Sequence, residues 1–285
     1  MTLLFTSDLH GKKEHFRKLF DMAMIREAEA VIIGGDLLPK HGPFWSSLCD
    51  QRTFVERFLG PAFTQFKKMA SEIEVYVMMG NDDWAVNMYL LEKLEREGVL
   101  RLLHQRVHPL RDGTFLVGYG CVPITPFSVK DWERLDSPDH DPEVSRTLAC
   151  ISTEQGIEPI EPDVLWQWPS VEEDLDVLAK LSDPTRTIYA MHAPPFGTYL
   201  DRLWDGRSVG SRAIRRFIEY HQPILTLHGH IHESPAVSGR WWDGLGDTWA
   251  FSAGQDQSTL HAILFDTQDI ENTAEHSVYG PLKRG

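Results

Sequence analysis

The sequence predicts an α/β protein of the doubly wound type, and three observations carry that prediction. Short apolar runs alternate with segments of helical periodicity from residue 2 to about residue 97. Each run stops at glycine and a few polar side chains rather than fading into the helix that follows. The same kind of ending recurs at two later apolar runs, before His192 and before His228-Gly229-His230-Ile231-His232. Strands alternating with helices build a largely parallel sheet, and the carboxyl ends of such strands are where ligands bind.

Residues 2–6 form the first expected strand, ending in Ser7-Asp8-Leu9-His10-Gly11. Alternation in an extended chain puts Asp8 and His10 on one side, where carboxylate and imidazole could chelate one ion. The alternative is Asp8 as the cap of the next helix. That helix is expected over 12–28, with Phe16, Leu19, Phe20, Ala23 and Met24 on one face. Residues 30–33 give a second strand, ending in Gly34-Gly35-Asp36, where two glycines permit a tight turn close to a ligand. Residues 39–51 read as loop, with Pro39, Gly42 and Pro43; His41, Phe44 and Trp45 either border a site or cover the core. A helix over 52–71, a strand over 74–79 and a helix over 85–97 follow. The third strand ends in Gly80-Asn81-Asp82-Asp83.

Residues 115–120 resemble another strand, and there the regularity stops. From Asp131 to Asp176 there are fourteen acidic residues against two arginines, with five prolines and three tryptophans. That stretch is too aromatic for simple disorder. It is expected to be an insertion packed over or beside the site; the alternative is a solvated acidic loop with tucked-in tryptophans. Residues 187–191 make a strand ending at His192-Ala193-Pro194-Pro195, whose prolines keep the exit extended. A polar loop carries Arg202 and Arg207, whose planar donor forks suit phosphate. A helix over about 211–221 starts at Ser211, a plausible cap, and residues 223–227 form the strand before His228. Short β-type runs are expected at 236–242, 247–252 and 258–266, mainly antiparallel, with a loosely ordered tail from about 268.

A formal charge of −14 in 285 residues argues against a general nucleic-acid or membrane-surface binder. Cys49, Cys121 and Cys150 are far apart and form no CxxC, so zinc-ribbon and redox readings fail and reduced thiols in the cytoplasm are expected. No basic stretch followed by an apolar one opens the chain, so no secretory signal is expected. No run is long enough to span a membrane. One domain over 1–285, with the acidic insertion at about 131–176, accounts for the length.

Five separated segments thus present ligands at strand ends: Asp8 and His10, Asp36, Asn81, His192, and His230 with His232. Seven side chains exceed what one ion needs, whereas two ions sharing a bridging carboxylate can use them all. Mixed oxygen and nitrogen donors favour manganese, iron, zinc or cobalt over calcium. Two ions about 3.5–4 Å apart fit displacement at phosphorus.

In order, Asp8-x-His10, Gly35-Asp36, Gly80-Asn81-x-Asp83, His192 and Gly229-His230-x-His232 resemble the motifs of the calcineurin-like metallophosphoesterases. In finer detail the stretch from His192 to Glu233 looks like prokaryotic phosphoesterases related to cyclic-AMP phosphodiesterases. The resemblance implies two facing β-sheets flanked by helices. It implies two divalent ions, manganese foremost, with iron, zinc, cobalt or nickel also suitable. Asp8, His10 and His232 would hold one ion, Asn81, His192 and His230 the other, and Asp36 would bridge. Asp36, Asn81 and His192 would carry the catalysis, a hydroxide between the ions attacking phosphorus. Asn81, Arg202 and Arg207 are the candidate substrate contacts. Asp83 would hydrogen-bond a ligand histidine, or else cap a helix.

Many family members have histidine after Gly-Asn, where this chain has Asp82. A carboxylate beside two cations is a poor general acid near neutral pH. Another group such as His41 or His228 would then assist, although His228 fits a structural place at the strand end. The implied activity is phosphodiester hydrolysis, with phosphomonoester hydrolysis and a non-enzymatic metal-binding scaffold as alternatives. The partner is a small phosphorylated substrate, nucleotides included, rather than a membrane or long nucleic acid.

Overall fold

The computed structural model describes residues 1–139, 148–256 and 258–283. Two sheets dominate it. In the first, the strands Thr2–Thr6, Ala30–Gly34, Glu74–Met78 and Arg101–Leu102 run parallel side by side. Ile263–Asp266 joins antiparallel to Thr2–Thr6, followed outward by Glu275–His276 and Gly280–Pro281. In the second, Phe115–Tyr119, Thr187–Met191, Leu225–His228 and Thr248–Ser252 are parallel, with Val107–Pro109 and Trp242–Leu245 antiparallel at the edges.

The strand residues are buried on both faces, which is why they read as continuous apolar runs rather than alternating ones. Leu3, Phe5, Ala30, Ile32 and Met78 of the first sheet share one core with Leu116, Ile188, Ala190, Leu225 and Phe251 of the second. The opposite faces pack against helices, with Phe16, Leu19 and Phe20 on the first sheet's side and Ile214, Phe217 and Ile218 on the second's. This is the expected sandwich of two sheets flanked by helices.

The helix Lys13–Ile25 is shorter at both ends than its expected span. Residues 39–51 are not all loop. Phe44–Ser46 and Ser47–Phe54 are helical and run through Val55–Leu59 into Gly60–Met69. Residues 236–242 are not a strand either. Ser234–Ser238 forms a short helix with Pro235 in its first turn, and Gly239, at φ 73°, ends it. The tail is tied down rather than loose: Ile270, Ala274 and His276 are buried, and Glu275–His276 pairs with the first sheet.

The acidic stretch places several carboxylates on backbone donors, which its composition did not reveal. Asp131 accepts from the amides of Ala85 and Ser152 at 2.7 and 2.8 Å. Asp136 accepts from Arg212 and Ala213 at the start of Arg212–His221, where a negative charge suits the helix dipole. Ser170 and Glu173 form a capping box for Val171–Leu178. Trp132 is buried, and its indole donates to the carbonyl of Asp83 at 2.9 Å. Residues 140–147 of the expected insertion lie outside the described residues.

Candidate metal centre

The site lies where the ends of Thr2–Thr6, Ala30–Gly34 and Glu74–Met78 face those of Thr187–Met191 and Leu225–His228. Asp8, His10, Asp36 and His230 all adopt left-handed backbone, at φ 58°, 43°, 53° and 67°. Such residues cost of order 1 kcal/mol or more each, and persist only where neighbours over-determine them. Here they do. The Asp8 amide donates to Gly35 O, the His10 amide to Asp36 O and the Gly11 amide to Leu37 O, locking the first two loops together. The Gly229 amide donates to His192 O, and the His230 amide to the Asp8 carboxylate at 3.0 Å.

Glycine is required where these loops cross. A Cβ at Gly35 would lie 2.5 Å from His192 Nδ1. At Gly80 it would strike the Asp36 carboxylate, and at Gly229 the Asp8 carboxylate. The Gly-Asp, Gly-Asn and Gly-His pairs of the sequence are therefore space for the neighbouring loop's ligand.

The seven strand-end candidates come together. Asp8, His10, Asp36 and His232 each offer an atom within 4.8 Å of the others. His10 Nε2 lies 3.0 Å from His232 Nε2, and His232 Nε2 lies 3.2 Å from Asp8 Oδ1. His192 Nε2 lies 3.1 Å from Asn81 Oδ1 and 3.4 Å from Asp36 Oδ2. The His230 ring stands 5.4 Å from the His192 ring. Asp36 sits between the two groups, 3.9 Å from His10 Nε2 on one side.

Charge makes the preference of this arrangement plain. Burial pushes Asp8 up, but His232 and His192 more than offset it and hold the carboxyl well below the usual range. Asp36 is likewise held low against burial, by His192 and His10. Burial drives His10 and His230 down to about 3, so both offer free nitrogen lone pairs at neutral pH. Burial lowers His192 too, but the carboxylates of Asp36 and Asp8 and the Gly34 carbonyl raise it to about 9. Its Nδ1–H donates to Gly34 O at 2.8 Å, which fixes the ring and leaves Nε2 facing three acceptor oxygens. An atom so placed needs either a proton or a cation, and the donor set fits divalent cations.

The remaining candidates stand elsewhere. Asp83 touches no ligand histidine. Its carboxylate accepts from the amides of Leu37, Leu38 and Gly80, at 3.1, 2.8 and 3.0 Å, and so ties the Asp36 loop to the Asn81 loop. His228 donates Nδ1–H to the carbonyls of Met191 and Ala193 while Nε2 faces the Thr226 hydroxyl, a structural role. His41 is exposed on the loop before Phe44. Arg202 is bound to the carbonyls of Thr198 and Gly206, and Arg207 is exposed and paired with Asp205 at 2.7 Å. Neither arginine lines the cavity of about 340 Å³ that opens over Asp36, Asn81, His230 and His232. Its walls contain no described residue of the expected insertion at 131–176.

Two features of the wall escaped the sequence reading. Lys40, four residues after Asp36, reaches back to the site and pairs with Asp82 at 3.1 Å. The segment Pro123 to Phe127 forms one apolar side, set by Thr125, whose amide donates to the buried Glu133 at 2.8 Å. A lysine on the loop leaving a candidate bridging aspartate was the available signal for the first. Nothing local marked the second.

Two facing sheets whose strand ends converge on carboxylates, imidazoles and an amide define a class: an α/β scaffold with a donor group, Asp8, His10, Asp36 and His232, that could hold a metal ion. The chain belongs to the calcineurin-like phosphoesterase family, whose model matches residues 1–234. The family is dimetal-dependent, and the protein is a metal-dependent phosphoesterase. Among solved structures, the TT1561 protein of Thermus thermophilus is similar over 99% of both chains, at 20% identity and a TM-score of 0.60. A dimetal phosphatase from Danio rerio is similar over 92% of both chains, at 12% identity and a TM-score of 0.53. At these identities the likeness is one of fold. No curated protein matches the chain. Among the described residues no helix is long and apolar enough to cross a membrane.

Proposed function

We propose that the protein hydrolyses small phosphodiesters at a dinuclear centre, in one domain spanning residues 1–285. Asp8, His10 and His232 would hold one divalent ion, Asn81, His192 and His230 the other, and the Asp36 carboxylate would serve both. This set of four imidazoles, two carboxylates and one amide suits manganese, iron, zinc or cobalt rather than calcium. When bound, the ions supply Lewis-acid charge and a water activated near neutral pH. The protein's own part is positional. His192 is oriented by Gly34 O, Asp36 by the Asp82 amide at 2.8 Å, and Asp8 by the His230 amide.

The observation that carries the reading is His192 Nε2 facing oxygens of Asn81, Asp36 and Asp8 at 3.1, 3.4 and 3.9 Å. The preference for diesters is supported by Ile124, Phe127, Leu203 and Val209, which line the same cavity as Lys40 and offer a second ester group an apolar surface. A substrate of nucleotide size fits about 340 Å³, whereas a long polyanion meets a chain of charge −14. Three unpaired cysteines, one of them exposed, suit the reducing cytoplasm.

The test is turnover of p-nitrophenyl phosphate and bis-p-nitrophenyl phosphate after chelation and manganese restoration. Metal-dependent turnover favouring the diester supports the proposal. Preference for the monoester makes the protein a phosphatase. No turnover of either, with metal bound, overturns the enzymatic reading.

A further inference from the structure

Lys40 is the sole lysine or arginine among the described residues lining the cavity over the metal centre. Its ammonium lies 3.1 Å from Asp82 Oδ2, and the two side chains are 34% and 19% exposed. The carboxylate of Asp82 lies between the lysine and the ligand set, 3.9 Å from His10 Nδ1. Its backbone is fixed from two directions: the amide donates to Asp36 Oδ1 at 2.8 Å, and the carbonyl accepts from Gln51 Nε2 at 2.7 Å. The pair is therefore a built part of the wall of a cavity that Ile124, Phe127 and Leu203 also line.

We propose that the Lys40–Asp82 pair selects substrates by charge, admitting monoanionic phosphodiesters and disfavouring dianionic monoesters. The inference rests on the proposed dinuclear phosphoesterase site and names the device behind its diester preference. As a neutral unit the pair adds almost no net attraction for an anion beyond that of the ligand set. The ammonium can still meet one phosphoryl oxygen that points away from the ligands. A second negative charge on the same phosphoryl group gains no further donor and approaches the Asp82 carboxylate. A diester carries one charge, and its second ester group needs no donor against the apolar wall.

The prediction has a sign for each partner. Asp82→Asn leaves Lys40 uncompensated and shifts preference toward dianions. Lys40→Met leaves the carboxylate uncompensated and shifts preference away from them. The double variant is neutral again and returns close to wild type. A unit charge a few ångströms away at a solvent-screened surface changes relative binding by about tenfold.

The experiment uses the full chain loaded with manganese at pH 8, with metal content measured for every variant. Calorimetry reads binding of inorganic phosphate, mostly dianionic at this pH, against monoanionic dimethyl phosphate. Turnover reads p-nitrophenyl phosphate against bis-p-nitrophenyl phosphate. Expected are about tenfold changes in the dianion-to-monoanion ratio, upward for Asp82→Asn and downward for Lys40→Met, with the double variant near wild type. A loosened wall would weaken both anions in parallel, so unchanged ratios in the single variants overturn the proposal. Wild type that binds neither anion overturns it as well. Wild type that holds its metals and binds the anions but turns over neither ester overturns the enzymatic reading alone, because the binding ratio still judges the pair.

Discussion

Replacing Asp83 should damage the protein in two measurable ways, although this side chain touches none of the proposed ligands. The carboxylate is fully buried and receives three backbone amides, from Leu37, Leu38 and Gly80, at 3.1, 2.8 and 3.0 Å. A buried amide left without an acceptor costs about 1–3 kcal/mol. Asp83→Ala strands all three, so metal-free protein should lose about 3–6 kcal/mol, allowing for water entering the space. Asp83→Asn keeps one carbonyl oxygen but turns an NH2 group toward an amide donor, and should lose about 1–3 kcal/mol. Leu37 and Leu38 directly follow Asp36, and Gly80 directly precedes Asn81. Loosening these loops should therefore weaken manganese binding by about 10–100-fold, the usual effect of removing a group that orients metal ligands. Urea unfolding of the metal-free variants gives the first number, and manganese titration the second. Asp83→Ala with stability within about 0.5 kcal/mol of wild type would refute the reasoning, since three buried amides cannot be so nearly indifferent to their acceptor.

Asp36→Asn keeps an oxygen for the Asp82 amide but removes the charge 3.4 Å from His192 Nε2, so metal stoichiometry and turnover should both collapse, the latter by at least about 100-fold; full activity would rule out a bridging role. Chelation should lower the melting temperature of the wild type, and manganese should restore it, because ligand binding to the folded state adds RT ln(1 + [L]/Kd). A second-order acid lability should trace to His104, whose Nδ1 accepts the Gly120 amide at 2.9 Å. Burial, with Arg134 and Arg106, lowers it from 6.5 to about 4, so its stabilisation is complete above pH 6.5 and lost as pH falls toward 4. Over that window wild type should lose about 3 kcal/mol more than His104→Gln, since the other buried histidines act alike in both, as read by urea midpoints against pH. Ser211→Ala should cost about 1 kcal/mol, because the hydroxyl caps Arg212–His221 by accepting the Ile214 amide at 2.9 Å, and a circular-dichroism melt would register it.

Much of the architecture was legible because it is written in local pattern. Continuous apolar runs mark strands buried on both faces, and glycine beside Asp, Asn or His marks where they stop. Where the reading failed, tertiary context outweighed the local signal. The run at 236–242 has strand-like composition, yet Pro235 and Gly239 bracket a helical turn that the sheet edge then follows. The tail from 268 is polar in sequence, yet Ile270, Ala274 and His276 are buried, the first two in a core contributed by residues far back in the chain, such as Leu3 and Tyr76. Asp83 stood next to the ligand motif and invited a role toward a histidine; only the crossing of two loops shows that it serves their amides.

By itself, then, the sequence determined which side chains stand at strand ends and that their chemistry suits divalent cations. Both follow from short-range rules: strand periodicity, glycine's freedom to turn, and the donor character of carboxylate and imidazole. Tertiary structure alone decided how those ends meet, through facing sheets that bring His192 within 3.4 Å of Asp36 from opposite halves of the chain. It also decided what surrounds them, placing Lys40 and Asp82 together and bringing Phe127 and Leu203 to the same cavity. Contacts of that kind depend on distances between segments that no local pattern encodes.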